Sequence, residues 1–121
     1  MNAVEPLRYF LQRGAPVDVP SSSGFTALMR AARAGCHQII PVLIGAGAVV
    51  DTTMKSQGFD GTTALWLAAD AGRTKAVQAL LAAGADVNQP NNNGFTPLFI
   101  SAQKGHSETT KLLLEAGADV N

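Results

Sequence analysis

The sequence predicts an all-α protein, a solenoid of antiparallel helix pairs joined by β-hairpin-like loops. Three observations carry this. Three segments align without gaps: Gly24-Phe25-Thr26-Ala27-Leu28 through Gly47-Ala48, Gly61-Thr62-Thr63-Ala64-Leu65 through Gly84-Ala85, and Gly94-Phe95-Thr96-Pro97-Leu98 through Gly117-Ala118. Internal repetition at such a period marks stacked repeat architectures. Ten of the twelve glycines then fall into matching series: Gly24, Gly61 and Gly94; Gly35, Gly72 and Gly105; Gly14, Gly47, Gly84 and Gly117. Glycine at fixed places marks tight turns and helix ends. Finally, a threonine opens each unit's first apolar-periodic stretch, as an N-cap should.

Each unit reads as turn, helix, turn, helix, turn. The first helices start after Thr26, Thr63 and Thr96, and Pro97 suits a first helical position. They place Leu28/Ala31/Ala32, Leu65/Ala68/Ala69 and Leu98/Ser101/Ala102 at helical spacing. The second helices place Ile40/Leu43/Ile44, Val77/Leu80/Leu81 and Thr110/Leu113/Leu114 on one face. Small residues on the first helix allow close packing, and branched residues on the second supply apolar volume. Helices this short are not stable alone in water, so stacking must bury their apolar faces. Pro41 falls inside the expected second helix of the first full unit and should kink it or shift its start. The cost is roughly 3 kcal/mol if the helix stays regular there. The β-branched Thr109-Thr110 pair predicts poorer packing in the last unit.

Unit spacing fixes the organisation. Gly61 to Gly94 is 33 residues and Gly24 to Gly61 is 37, so the second junction holds four extra residues within Asp51–Asp60. Leu7 to Ala15 matches only the second half of a unit. The expected domain spans 1–121, with a partial repeat at 1–20 and full repeats at about 21–53, 54–90 and 91–121. The chain opens without the first helix of its half unit and stops at Asn121 directly after a repeat. The expectation is a piece of a longer array, with end-to-end self-association between open faces as the rival.

Composition narrows the class. Of 121 residues, 46% are hydrophobic and 15% charged, too apolar for a disordered tail. Lys+Arg and Asp+Glu each number 9, and neither half is basic enough to neutralise a phosphate backbone, so no nucleic acid is expected. A single cysteine, Cys36, cannot form an internal disulfide or a cysteine metal cluster, which suits a reducing compartment. No apolar run is long enough to span a bilayer, and residues 1–14 show no signal peptide. The expected location is intracellular, cytoplasmic or nuclear, with no direct membrane insertion.

These units resemble the ankyrin repeat. The residues that carry the resemblance are Thr96-Pro97-Leu98, the alanine pairs Ala31-Ala32 and Ala68-Ala69, Gly105-His106, and the closing runs Gly84-Ala85-Asp86-Val87-Asn88 and Gly117-Ala118-Asp119-Val120-Asn121. The resemblance covers essentially the whole chain. Met29, Trp66 and Phe99 replace the family's box histidine, which implies an apolar substitute and inter-repeat packing. Cys36 and Arg73 stand where the turn histidine belongs. Val49 and Asp51 replace the closing aspartate and asparagine of the first full unit.

Nothing in the chain assembles a catalytic, cofactor or metal site. Cys36 and His37 are adjacent, so a helical turn points them apart rather than together. His106 sits in the family's turn slot, and two histidines with one cysteine make a poor zinc site. Asp86 and Asp119 are closing-turn residues whose spacing is set by the repeat, where an Asp side chain bonds nearby amides. No glycine-rich turn is followed by Lys-Ser/Thr at phosphate-loop spacing. The expectation is therefore no enzyme and no cofactor.

The resemblance implies a protein partner bound by loop tips and first helices. In register, the tip residues are Ser22, Ser23, Phe25, Asp60, Thr62, Asn92, Asn93 and Phe95, and the helix ends add Arg33, Asp70, Gln103 and Lys104. The insertion Lys55-Ser56-Gln57-Gly58-Phe59 enlarges the second tip, and Phe59 is expected to lie beside Phe25. Exposed aromatic residues favour partner contact. The leading reading is a non-catalytic interaction module. The alternative is a regulatory or targeting segment of a larger enzyme, channel or receptor, and a hydrolase using Cys36 is a remote third. The resemblance also implies that Asn88 and Asn121 occupy a position asparaginyl hydroxylases modify in some family members, although turn formation is the simpler role.

Overall fold

A computed structural model of the chain describes residues 17, 20, 24–55 and 60–120. It has six helices in chain order: α1 Ala27–Ala34, α2 Ile40–Gly45, α3 Ala64–Asp70, α4 Thr74–Ala82, α5 Pro97–Gln103 and α6 Ser107–Glu115. There is no strand among the described residues. The half unit around Leu7–Ala15 lies outside them.

The first helices begin where the threonines predict. Thr26, Thr63 and Thr96 each have extended backbone, and their hydroxyls accept from Met29 N (3.3 Å), Trp66 N (3.2 Å) and Phe99 N (3.2 Å). Each cap satisfies one of the helix's orphan N–H groups. The glycine series has its predicted reason too: all nine described members take positive φ, between 69° and 102°.

Pro41 resolves by a shift rather than a kink. Residues 37–39 form turns where α4 and α6 are already helical at the matching positions, and α2 starts only at Ile40. Pro41 therefore sits in the first turn, where an N–H has no partner inside the helix, and the interior-proline cost is avoided. The price is length, because α2 has 6 residues and α4 and α6 have 9 each.

The helices stack in two rows. α1 packs on α3 and α3 on α5; behind them α2 packs on α4 and α4 on α6, while each first helix also pairs with its own second helix. Ala32 and Ala69 are fully buried, as close helix approach requires. Leu28, Ile40, Leu43, Leu65, Val77, Leu80 and Leu113 fill the space between the rows. At ~1.5–3 kcal/mol per buried branched side chain, this interlayer core is the main stabilising term.

Polar bonds fix the stacking register. Arg73 Nε donates to the Arg33 carbonyl (3.2 Å), and His106 Nε2 lies 2.9 Å from the Asp70 carbonyl. Arg73 and His106 hold the same repeat position, as do Arg33 and Asp70, so arginine does the histidine's work in the middle unit. At the opposite edge Asp51 Oδ1 accepts from Asp86 N (3.0 Å), and Asn88 Oδ1 accepts from Asp119 N (2.8 Å). Asp51 keeps the acceptor oxygen, so its exchange for asparagine leaves the bond intact.

Thr109 and Thr110 turn the expected packing defect into a polar seam. Thr109 is buried with its hydroxyl 3.0 Å from that of Thr74. Thr110 Oγ1 donates to the His106 carbonyl (2.9 Å) and lies 2.9 Å from the buried Ser101 hydroxyl. Ser101 replaces the alanine of the other two units, and a serine facing a threonine leaves neither hydroxyl orphaned.

Candidate partner-binding surface

The loops project from the starts of the first helices. Met54 and the Gly61–Thr62 stretch close a hairpin-like loop by two backbone bonds, Met54 N to Thr62 O (2.9 Å) and Gly61 N to Met54 O (3.0 Å). The next loop closes on Asn91: its N–H donates to Phe95 O (2.9 Å), and its Oδ1 accepts from Asn93 N and Phe95 N. Asn92 N donates to Asp60 O (3.0 Å), which ties neighbouring tips together. Asn91 was not among the predicted tip residues; its position after Pro90 and before Gly94 was the available turn signal.

Along this edge lie several side-chain groupings. Phe25 is half-buried against the core, with the Arg33 guanidinium carbon 5.6 Å from its ring centroid, a cation–π distance. Trp66 is buried and its indole Nε1 donates to the Phe95 carbonyl (3.1 Å). Phe95 and Phe99 stack with centroids 4.8 Å apart and planes 10° from parallel. Lys104 Nζ is 3.3 Å from Asp70 Oδ1.

Most predicted residues are accessible. Arg33, Asp60, Asn92, Asn93, Phe95, Gln103 and Lys104 are exposed, and Phe25 and Asp70 are half-buried. Ser22, Ser23 and Phe59 lie outside the described residues, as does the expected Phe25–Phe59 contact. Thr62 requires correction. It holds the tip position of Phe25 and Phe95, but its side chain is fully buried and its hydroxyl has no hydrogen-bond partner. A residue with no accessible surface cannot touch a partner.

The apolar series also needs one correction. Met29 and Trp66 are buried as predicted, yet Phe99, at the same position, is 45% exposed. In the first two units the following first helix packs over this position. In the third, Phe99 stacks on Phe95 at the surface instead.

Chemistry-bearing groups stay dispersed. Cys36 is an exposed free thiol and His37 is half-buried in the turn beside it. No cluster of three His, Cys, Asp or Glu able to hold a metal exists among the described residues. No helix among them is long and apolar enough to cross a membrane. Asn88 spends its side-chain oxygen on the next unit, and Asp86 Oδ1 accepts from Asn88 N (3.0 Å), the closing-turn role predicted for that aspartate.

Stacked helix pairs, capped by threonine and edged by linked loop tips, define a helical repeat protein. A family model described as ankyrin repeats (3 copies) matches residues 48–121, and one described as ankyrin repeat matches residues 23–55. The chain belongs to the ankyrin repeat family. No curated protein matched it. Ankyrin repeats are in general protein–protein interaction modules and are typically non-catalytic.

Proposed function

We propose that this chain is a non-catalytic module that binds a partner protein through its loop tips and first-helix face. The observation that supports the reading best is the stacked Phe95–Phe99 pair. Both rings are more than 40% exposed, and they lie in contact with each other. Two aromatic rings already held in contact lose little freedom on binding and offer a large apolar contact. The salt-bridged Asp70–Lys104 pair and the exposed Arg33 provide a polar rim. Formal net charge is zero, so association should depend only modestly on salt. The free thiol of Cys36 accords with an intracellular location.

The test compares three chains in partner capture and titration: wild type, Phe95→Ser/Phe99→Ser, and Lys75→Ala on the exposed surface of α4. The reading requires a specific partner retained by wild type and Lys75→Ala and lost from the double variant, with helical content unchanged. Equal retention by all three would refute this surface.

A further inference from the structure

The loop before α5 holds three consecutive asparagines, and its bonds treat them differently. Asn91 Oδ1 accepts from Asn93 N (3.1 Å) and Phe95 N (3.0 Å), and the Asn91 carbonyl accepts from Gly94 N (2.9 Å). The Asn92 side chain lies over Gly61, and Asn88 Oδ1, in the preceding closing turn, is held by Asp119 N. The Asn93 side-chain amide has no hydrogen bond among the described residues, and both Asn93 and Gly94 are exposed. Asn93 is also the one asparagine followed by glycine, and nothing lies within 4 Å of where a Cβ on Gly94 would stand.

An asparagine before a glycine has a ring closure open to it. Its side-chain carbonyl carbon and the next backbone nitrogen are the two ends of a five-membered ring. Such proximity accelerates a reaction strongly, and glycine brings no side chain to crowd the attacking nitrogen. We propose that Asn93 is a site of spontaneous deamidation, and that Asn91 restrains its rate by holding the turn closed. Solvent hydroxide takes the Gly94 amide proton, and the nitrogen bonds to Asn93 Cγ. The Cγ–Nδ2 bond breaks, and ammonia leaves with a proton from water. Water then opens the succinimide at either carbonyl. Cleavage of the new N–Cγ bond leaves aspartate at position 93. Cleavage of the original N–C bond leaves isoaspartate, with the backbone rerouted through Cβ and Cγ. The net change is one water taken up and one ammonia released, with nothing oxidised or reduced.

While Gly94 N donates to the Asn91 carbonyl it is not free to attack, which is why the Asn91 turn slows the reaction. The neighbouring Asp60–Gly61 pair has the same ring within reach, by loss of water. There, however, Gly61 is covered by Asn92, and its N–H is bound to Met54 O (3.0 Å). Deamidation adds one negative charge to a chain of formal net charge zero. Asn93 belongs to the surface assigned above to a partner, but the reaction needs no partner, and its test reads the conversion alone.

The full chain is incubated in neutral buffer, folded and in parallel unfolded in guanidinium, and mapped by peptide mass spectrometry with isoaspartate methyltransferase labelling. Asn93 is expected to convert ahead of every other asparagine, gaining about one dalton and giving both products. Conversion is slower in the folded chain than in the unfolded one. Asn91→Ala speeds the folded-state reaction roughly tenfold, through loss of the two Oδ1 bonds. Asn91→Asp keeps that acceptor and stays near the wild-type rate. An intact Asn93 in the folded chain after the unfolded chain has fully converted would overturn the proposal. So would earlier conversion of another asparagine, or equal rates in Asn91→Ala and wild type.

Discussion

His106 Nε2 lies 2.9 Å from the carbonyl oxygen of Asp70, across the boundary between two units. A carbonyl only accepts, so Nε2 carries the proton in this contact. The carbonyl belongs to the last residue of α3, where the helix has no internal donor left. The imidazole therefore closes one unit with a group from the next, and Arg73 repeats the device on Arg33.

Removing this bond should cost stability, and arginine should replace it. His106→Ala is expected to destabilise by about 1–2 kcal/mol, the loss of a partly buried bond and its packing. His106→Arg should recover most of that, because Arg73 makes the equivalent bond in the middle unit. Urea denaturation of the three chains measures both; equal stability of the alanine and arginine variants would deny the bond its role.

The neighbouring threonines Thr62 and Thr63 should respond in opposite directions. Thr63→Val removes the acceptor for Trp66 N and should cost about 1 kcal/mol. Thr62→Val removes a buried hydroxyl with no partner while keeping its shape, so it should be neutral or stabilising by up to about 1 kcal/mol. Melting temperatures of the two variants decide this, and a loss in Thr62→Val would point to an unseen partner for that hydroxyl.

Glycines with positive φ should differ by what stands over them. At Gly61, φ is 80° and an added Cβ would run into Asn92, with the Asn92 backbone nitrogen at 2.9 Å. At Gly84, φ is 90° but nothing lies within 4 Å. Gly84→Ala should then cost about 1–2 kcal/mol, the conformational penalty alone. Gly61→Ala should cost clearly more, because its obstacle includes main chain. Denaturation midpoints rank the pair, and equal losses would show that the neighbouring loop yields freely.

At the closing turns the acceptor oxygen, not the amide, should matter. Asp51 accepts from Asp86 N just as Asn88 accepts from Asp119 N. Asn88→Asp should be nearly silent and Asn88→Ala should lose about 1 kcal/mol. Thermal melts of both variants check the order.

Helix starts, the glycine series and the alanine row were legible because each follows from chemistry within one unit. Thr63 caps a residue three positions away, and the pattern displays that. Pro41 was legible as a disturbance but not in its outcome, since the sequence does not say whether a proline bends a helix or delays it. Bonds between units were opaque: Arg73 and Arg33 are 40 residues apart, and an arginine in a histidine's slot reads as a departure until its reach is seen. Thr62 misled for a related reason. Register equated it with Phe25 and Phe95, which are half-buried and exposed, yet its own side chain is fully buried. Thr109 and Thr110 looked like weak packing because their hydroxyl partners, Thr74 and Ser101, sit on other helices.

No unit stands by itself, so damage in one must be felt in the next. Trp66, the chain's single tryptophan, reports on the second unit, and Leu113 is fully buried in α6 of the third. Leu113→Ala should cost about 2–5 kcal/mol as a cavity. Urea unfolding followed by Trp66 fluorescence and by far-ultraviolet circular dichroism should show both signals moving together to a lower midpoint. A Trp66 transition left at the wild-type midpoint while the helical signal splits in two would contradict it.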